Sequence, residues 1–247
     1  MSDVVGIIPA RYGSTRLPAK VVAPICGVPM IQHVYEHAKQ AKRLSELWVA
    51  TDDERIMQAV AKFGGKAVMT SPAHRSGTDR IAEVARKLDA QVVINIQGDE
   101  PLVHPDQLDV IADFLLAHQA VPMATVMTAL SDRALLTNPN VVKVVVDHDG
   151  YALYFSRSPI PFQRDAAVAP KRATWYKHLG LYGYQRNFLL RFPHLAPTMA
   201  EQLEQLEQLR ALEHGYKIRV LETPYDTVSV DTADDLKRVE AILMERA

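Results

Sequence analysis

Four short apolar runs in the first hundred residues, each followed by a loop or a stretch of helical spacing, constrain the fold of this chain more than any other feature. Val4 to Ile8, Glu46 to Thr51, Lys66 to Thr70 and Gln91 to Ile96 have the length and composition of strands buried on both faces. Between them, residues 29 to 42 start at a proline and set Met30, Ile31, Val34 and Ala38 on one helical face. Glu54 to Phe63 follows a capping Asp52-Asp53 pair and stops at Gly64-Gly65, and a helix beyond Arg80 turns Ile81, Val84, Ala85 and Leu88 inward. This rhythm predicts an α/β fold with a doubly wound, mostly parallel sheet, because parallel neighbours need a crossover between them.

The chain has 247 residues, within the range of one α/β domain, and 1–247 is read as such. After a helix over 106–119, Val121 to Leu130 reads as a strand returning to the sheet, with an antiparallel direction open. Val141 to Val146 and Tyr151 to Ser156 flank the turn Asp147-His148-Asp149-Gly150 as a hairpin, and 163–173, poor in apolar residues, reads as a mobile lid. Lys177 to Tyr184 alternates as a strand with His178 and Tyr182 on one face and Leu179 and Leu181 on the other. Residues 138–192 thus form an insertion. Met199 to His214 reads as one helix burying Leu203, Leu206, Leu209 and Leu212, and Lys217 to Glu222 and 233–245 complete the chain as strand and helix.

The chemistry gathers where strands end. Val4 to Ile8 breaks at Pro9 into a loop carrying Arg11, Arg16 and Lys20, and no Asp or Glu occurs between Asp3 and Glu36 to neutralise them. Gly13 permits close backbone approach, and Pro9 and Pro18 stiffen the flanks. Three cations at the carboxyl end of a first strand suit a polyphosphate, although the loop is neither a Walker A sequence nor a dinucleotide fingerprint. Gln91 to Ile96 delivers Gln97-Gly98-Asp99-Glu100-Pro101 to the same edge. By type alone Asp99 is equally a structural acid. Beside a triphosphate, a carboxylate is repelled by several kcal/mol unless a divalent cation lies between them, a place that suits Mg²⁺. Ser76-Gly77-Thr78-Asp79 is compatible with a plain N-cap, Asp231 and Asp234 both compete to cap the last helix, and Glu207 is placed to pair with Arg210. His33 and His37 match a five-residue zinc-peptidase pattern, which is weak, and two solvated histidines are expected instead.

Taken together, P-A-R-Y-G-S-T-R-L-P-A-K (9–20), H-R-S-G-T-D-R (74–80), Q-G-D-E-P (97–101), H-L-G-L-Y-G-Y (178–184), L-E-Q-L-R (206–210) and V-D-T-A-D-D-L (230–236) resemble the cytidylyltransferases that activate acidic sugars, above all the CMP-KDO synthetase family. The resemblance spans nearly the whole chain. It implies a Rossmann-like nucleotidyltransferase fold and the reaction of CTP with 3-deoxy-D-manno-octulosonate (KDO) to CMP-KDO and diphosphate, for lipopolysaccharide biosynthesis. It also implies Mg²⁺ held by Asp99 and Asp231, with Lys20 and Arg11 catalytic beside them. Nucleotide binding falls to Ala10, Arg11, Gly13, Ser14, Arg16, Lys20, Arg75, Ser76, Gly77 and Gln97, of which Arg75 occupies a position that varies in the family. Sugar binding falls to Gln97, Arg157, His178, Tyr182, Glu207 and Gln208. The family carries glycine more often than alanine at position 19, so Ala19 is a departure that bears on loop geometry. A homodimer is implied by the family and by the apolar hairpin.

A formal charge of −1 offers no general attraction to nucleic acid or anionic lipid, and any cationic site must be local. One cysteine, Cys26, excludes an internal disulfide, and no apolar run approaches 18 residues; a cytoplasmic protein without membrane insertion is expected. Rival readings are the same transfer to 8-amino-KDO or a sialic acid, and a nucleotide-binding regulator without catalysis.

Overall fold

A computed structural model describes residues 2–13, 17, 19–165 and 175–246. β1 (Ser2–Ala10) is followed by the two-residue strands β2 (Pro24–Ile25) and β3 (Val28–Pro29), then α1 (Met30–Ala38), β4 (Glu46–Thr51), α2 (Glu54–Lys62), β5 (Ala67–Met69), α3 (Gly77–Lys87) and β6 (Ala90–Asn95). The second half comprises α4 (Pro105–Ala117), β7 (Met123–Ala129), α5 (Arg133–Thr137), β8 (Lys143–Val146), β9 (Ala152–Ser156), β10 (Tyr176–Gln185), α6 (Arg186–Arg191), α7 (Met199–Glu204), α8 (Gln208–Glu213), β11 (Ile218–Glu222) and α9 (Ala233–Arg246). The main sheet runs β11-β7-β10-β6-β1-β4-β5, with β8 paired to β10 and β9 to β8. β4, β1 and β6 are parallel, as the alternation of strand and helix requires.

The apolar run of β1 divides by alternate residues. Val4 and Ile8 enter the layer under α1, α2 and α4, and Val5 and Ile7 the layer under α3, α6 and α8. Each such aliphatic side chain, fully buried, contributes roughly 1.5–3 kcal/mol, so the doubly buried strands anchor the loops at their carboxyl ends.

One direction left open is settled and two expectations are corrected. β7 is not antiparallel to the first strands: β10 runs antiparallel to both β6 and β7, so β7 keeps the direction of β6. The reversed strand is the inserted one, which comes back into the gap left between β6 and β7. The helix expected over 29–42 ends at Ala38, and Pro29 caps it from outside the first turn. The helix expected from Met199 to His214 is broken at Gln205, which adopts a left-handed conformation (φ 53°). The break separates α7 from α8 and leaves Leu203 78% exposed while Leu206 and Leu209 are buried. Arg210 consequently pairs with Glu201, not with Glu207.

Candidate active site

β1 and β6 end side by side, and the loops leaving them are packed closely. A Cβ on Gly98 would lie 3.0 Å from the carbonyl oxygen of Pro9, so only glycine lets the 97–101 loop settle there without displacing the backbone. Asp231 comes to the same edge from the far end of the chain. The amide of Val230 donates to the carbonyl of Asp99 at 2.9 Å, which joins the two acid-bearing segments through their backbones. The competition to cap α9 is resolved in favour of neither expected residue: Thr232 and Asp235 bond reciprocally at its start, and Asp234 projects outward with 92% exposure.

Lys20 begins a 3₁₀ turn, Lys20–Val22, behind the basic loop. Its Nζ lies 2.6 Å from Asp99 Oδ2 and 3.0 Å from Asp231 Oδ1. Burial alone would lower the Lys20 pKa, but the charge and hydrogen bond of Asp99, with those of Asp231, outweigh it and hold the ammonium above its ordinary value. Ala19 turns the chain into this geometry at φ 56°, ψ 25°, the left-handed region that glycine enters without penalty. Ala19→Gly is therefore expected to stabilise the protein by roughly 1 kcal/mol, read as a rise in Tm on thermal unfolding; a lower Tm would show that the strain is absent.

Two cavities meet at this ion cluster. One, about 330 Å³, is lined by Ala10, Arg11, Lys20, Arg75, Ser76, Gly77, Gln97 and Asp99. Arg11 has no carboxylate partner there among the described residues. Ser76 is the N-cap of α3 in a reciprocal box with Asp79, and Gly77 approaches Pro9 closely enough that a Cβ would sit 3.3 Å from its ring. The other cavity, about 490 Å³, is lined by Glu100, His178, Tyr182, Gln208 and Asp231, among others. Gln208 is buried, and among the described residues its Nε2 has no hydrogen-bond partner, a costly arrangement unless a ligand supplies the acceptor. Burial pulls His178 down to about 3 and raises Tyr182 well above its ordinary value, so both are neutral near pH 7. A larger cavity of about 670 Å³ beside Arg186 and Arg191 lies by the first residue of β6 and the last of β10, the sheet end opposite to the one where open α/β sheets bind ligands.

Most of the expected residues converge, and some are diverted. Gln97 reaches across to the carbonyl of Gly180 at 2.9 Å. Glu207 does not line the larger of the two site cavities; its carboxylate accepts from the Thr78 hydroxyl, tying α8 to the start of α3, and burial raises its pKa. Arg157 lines neither cavity: Nε donates to Glu204 O at 2.7 Å, Nη1 to Pro139 O at 2.9 Å and Nη2 to Gln205 O at 3.3 Å. It holds together the hairpin, the 138–140 turn and the end of α7. Ser14, Arg16 and most of the expected lid lie outside the described residues. His33 and His37, expected to be solvated, are half-buried and each sits on a backbone carbonyl, of Ile25 at 2.9 Å and Pro101 at 2.6 Å.

The pattern of the family described as Cytidylyltransferase matches residues 5–218. The chain belongs to the cytidylyltransferase family. It is 51% identical over 243 residues to a 3-deoxy-manno-octulosonate cytidylyltransferase of Geotalea uraniireducens, covering 96% of this chain and 97% of that one. A protein of the same description from Geobacter sulfurreducens is 50% identical over 244 residues, covering 96% and 98%. A solved CMP:2-keto-3-deoxy-manno-octonic acid synthetase complexed with CTP superposes with a TM-score of 0.93 at 46% identity over the whole of both chains. This cytidylyltransferase has further residues at its site that the sequence did not single out. Glu100 is buried beside Asp99, and burial together with that neighbouring charge pushes it up to about 7. Thr125, fully buried on β7, bonds His178. Glu100 stands inside the Q-G-D-E-P motif next to Asp99, the one signal that could have drawn attention to it, whereas Thr125 is one of two threonines in an otherwise apolar strand and carries no motif.

Proposed function

We propose that the enzyme transfers CMP from CTP to 3-deoxy-D-manno-octulosonate, releasing diphosphate. The observation that carries this reading is the convergence of Asp99 and Asp231 on the Lys20 ammonium at the boundary of the two cavities. The reacting phosphate belongs at such a boundary, with the nucleotide on the Ser76–Gly77 side and the sugar on the His178–Gln208 side. Arg11 and Lys20, with Arg16 and Ser14 of the same loop, hold the β- and γ-phosphates and stabilise the charge that departs with diphosphate. Ser76, Gly77, Arg75 and Gln97 seat the nucleoside. His178, Tyr182 and Gln208 receive the sugar, which brings its anomeric hydroxyl in line with the α-phosphorus. Glu207 and Arg157 shape that cavity from behind.

The donor set suits Mg²⁺: two carboxylate oxygens from opposite sides already share one cation, and Mg²⁺ takes one or two carboxylates with phosphate oxygens and water. Asp99 and Asp231 would hold it, and when bound it supplies neutralisation of phosphate charge and polarisation of the reacting oxygens. Leu153 and Tyr154 on β9 and Met199 and Leu203 on α7 are exposed apolar side chains that support a homodimer through the inserted hairpin together with α7.

Diphosphate release from CTP and Mg²⁺ with KDO, 8-amino-KDO and a sialic acid tests the reading. The expected result is release with KDO at the highest kcat/KM. Binding of CTP with no release for any sugar would instead make the protein a nucleotide-binding regulator.

A further inference from the structure

β10 carries a bulge where it passes β7: Leu179 pairs with Val126, yet the next paired residue, Tyr182, stands opposite Thr125, leaving Gly180 and Leu181 as extra residues. The bulge directs the carbonyls of Leu179 and Leu181 at the Thr125 hydroxyl, at 3.2 and 2.7 Å. Thr125 Oγ1 also lies 3.0 Å from His178 Nε2. A hydroxyl has one proton, and a carbonyl can only accept. With that proton on a carbonyl, the oxygen has only lone pairs left for the imidazole. His178 must then donate from Nε2, which leaves Nδ1 bare. The opposite tautomer would require the hydroxyl to turn its proton to the ring and abandon both carbonyls.

We infer that Thr125 is a positioning residue that fixes His178 as the Nε2–H tautomer, so that the sugar cavity presents an Nδ1 lone pair to a hydroxyl hydrogen of the acidic sugar. The second half of this assignment rests on the function proposed above. Among the described residues Nδ1 has no hydrogen-bond partner, while the ring is clamped by Phe155 edge-on at 4.9 Å between centroids and by Tyr182 at 5.4 Å, and it borders the cavity. The backbone amide of His178 is held as well, by the carbonyl of Val142 at 2.8 Å. A neutral acceptor reads hydroxyls and offers nothing to a carboxylate, so His178 is a selector of the sugar's hydroxyl pattern and not its charge partner. The low pKa that burial gives the ring keeps this role unchanged across neutral pH.

Long-range ¹H–¹⁵N correlation spectra of the free protein, labelled at its nine histidines, read the tautomer directly; the His178 signals are those missing from His178→Gln. The expected spectrum shows the proton on Nε2 in the wild type and in Thr125→Ser, and a shift toward Nδ1–H in Thr125→Val, where Nε2 loses the hydroxyl oxygen that accepts from it. In diphosphate release, Thr125→Val should raise the sugar KM about tenfold, the worth of one hydrogen bond, while the CTP KM stays within about twofold and Thr125→Ser restores the wild-type value. A wild-type ring protonated at Nδ1, a Thr125→Val ring still wholly Nε2–H, or equal losses for CTP and sugar would overturn the inference. Failure of the functional reading looks different, as absence of release from the wild type with every sugar, because the tautomer is read without substrate.

Discussion

Asp99→Asn is expected to lower kcat by about 10³-fold, or ~4 kcal/mol of transition-state stabilisation, with the fold retained. The amide keeps the shape of the side chain but removes the charge that lies 2.6 Å from Lys20 Nζ and that would hold Mg²⁺ against the triphosphate. Structural loss should be small. The carboxyl is 30% exposed, so its ion pair adds little to stability once screened by solvent, and the carbonyl that accepts from Val230 is untouched. Steady-state kinetics over a Mg²⁺ titration, with thermal unfolding alongside, checks both halves. Activity within about tenfold of wild type would remove Asp99 from the metal site, and a collapse of Tm would mean that its role is structural.

Lys20→Met should reduce kcat/KM for CTP by roughly 10²- to 10³-fold while leaving the sugar KM nearly unchanged, because the ammonium lines the Ser76–Gly77 cavity and, in the proposed mechanism, would stabilise charge on the departing phosphates. The substitution also leaves Asp99 and Asp231 facing each other without their shared cation. Two like charges so disposed repel, and the divalent cation becomes the natural relief. Mg²⁺ measured alone, by calorimetry without nucleotide, should therefore bind more tightly to the variant than to the wild type even as turnover falls. Equal losses for CTP and sugar, or unchanged Mg²⁺ affinity, would contradict a lysine that stands between the acids.

The short apolar runs of the first hundred residues were legible because a parallel, doubly buried strand has a local signature and needs a crossover of predictable length. Glu46 to Thr51 was recovered to the residue. The direction of β7 was not legible, since nothing local to Val121 to Leu130 records that β10, fifty residues later, would fill the place beside it. The continuous helix read through Met199 to His214 failed for a related reason. Three E-Q-L units favour helix by propensity, whereas the left-handed turn at Gln205 is accompanied by the Glu201–Arg210 pair across the break and by contacts with distant segments, Glu204 with Ser156 and Arg157 and Glu207 with Thr78. The same contacts redirected Glu207 and Arg157, whose residue types suggested direct ligation of the sugar.

By itself the sequence determined that a sheet of buried parallel strands would deliver a basic loop and an acid to one edge, because strand burial and loop chemistry are written in neighbouring residues. Only the tertiary structure decided that Asp231, separated from Asp99 by more than half the chain, shares Lys20 with it, and that Thr125 faces a bulge and a histidine. Those are matters of distance and hydrogen-bond valence between strands, and they exist only once the sheet has closed.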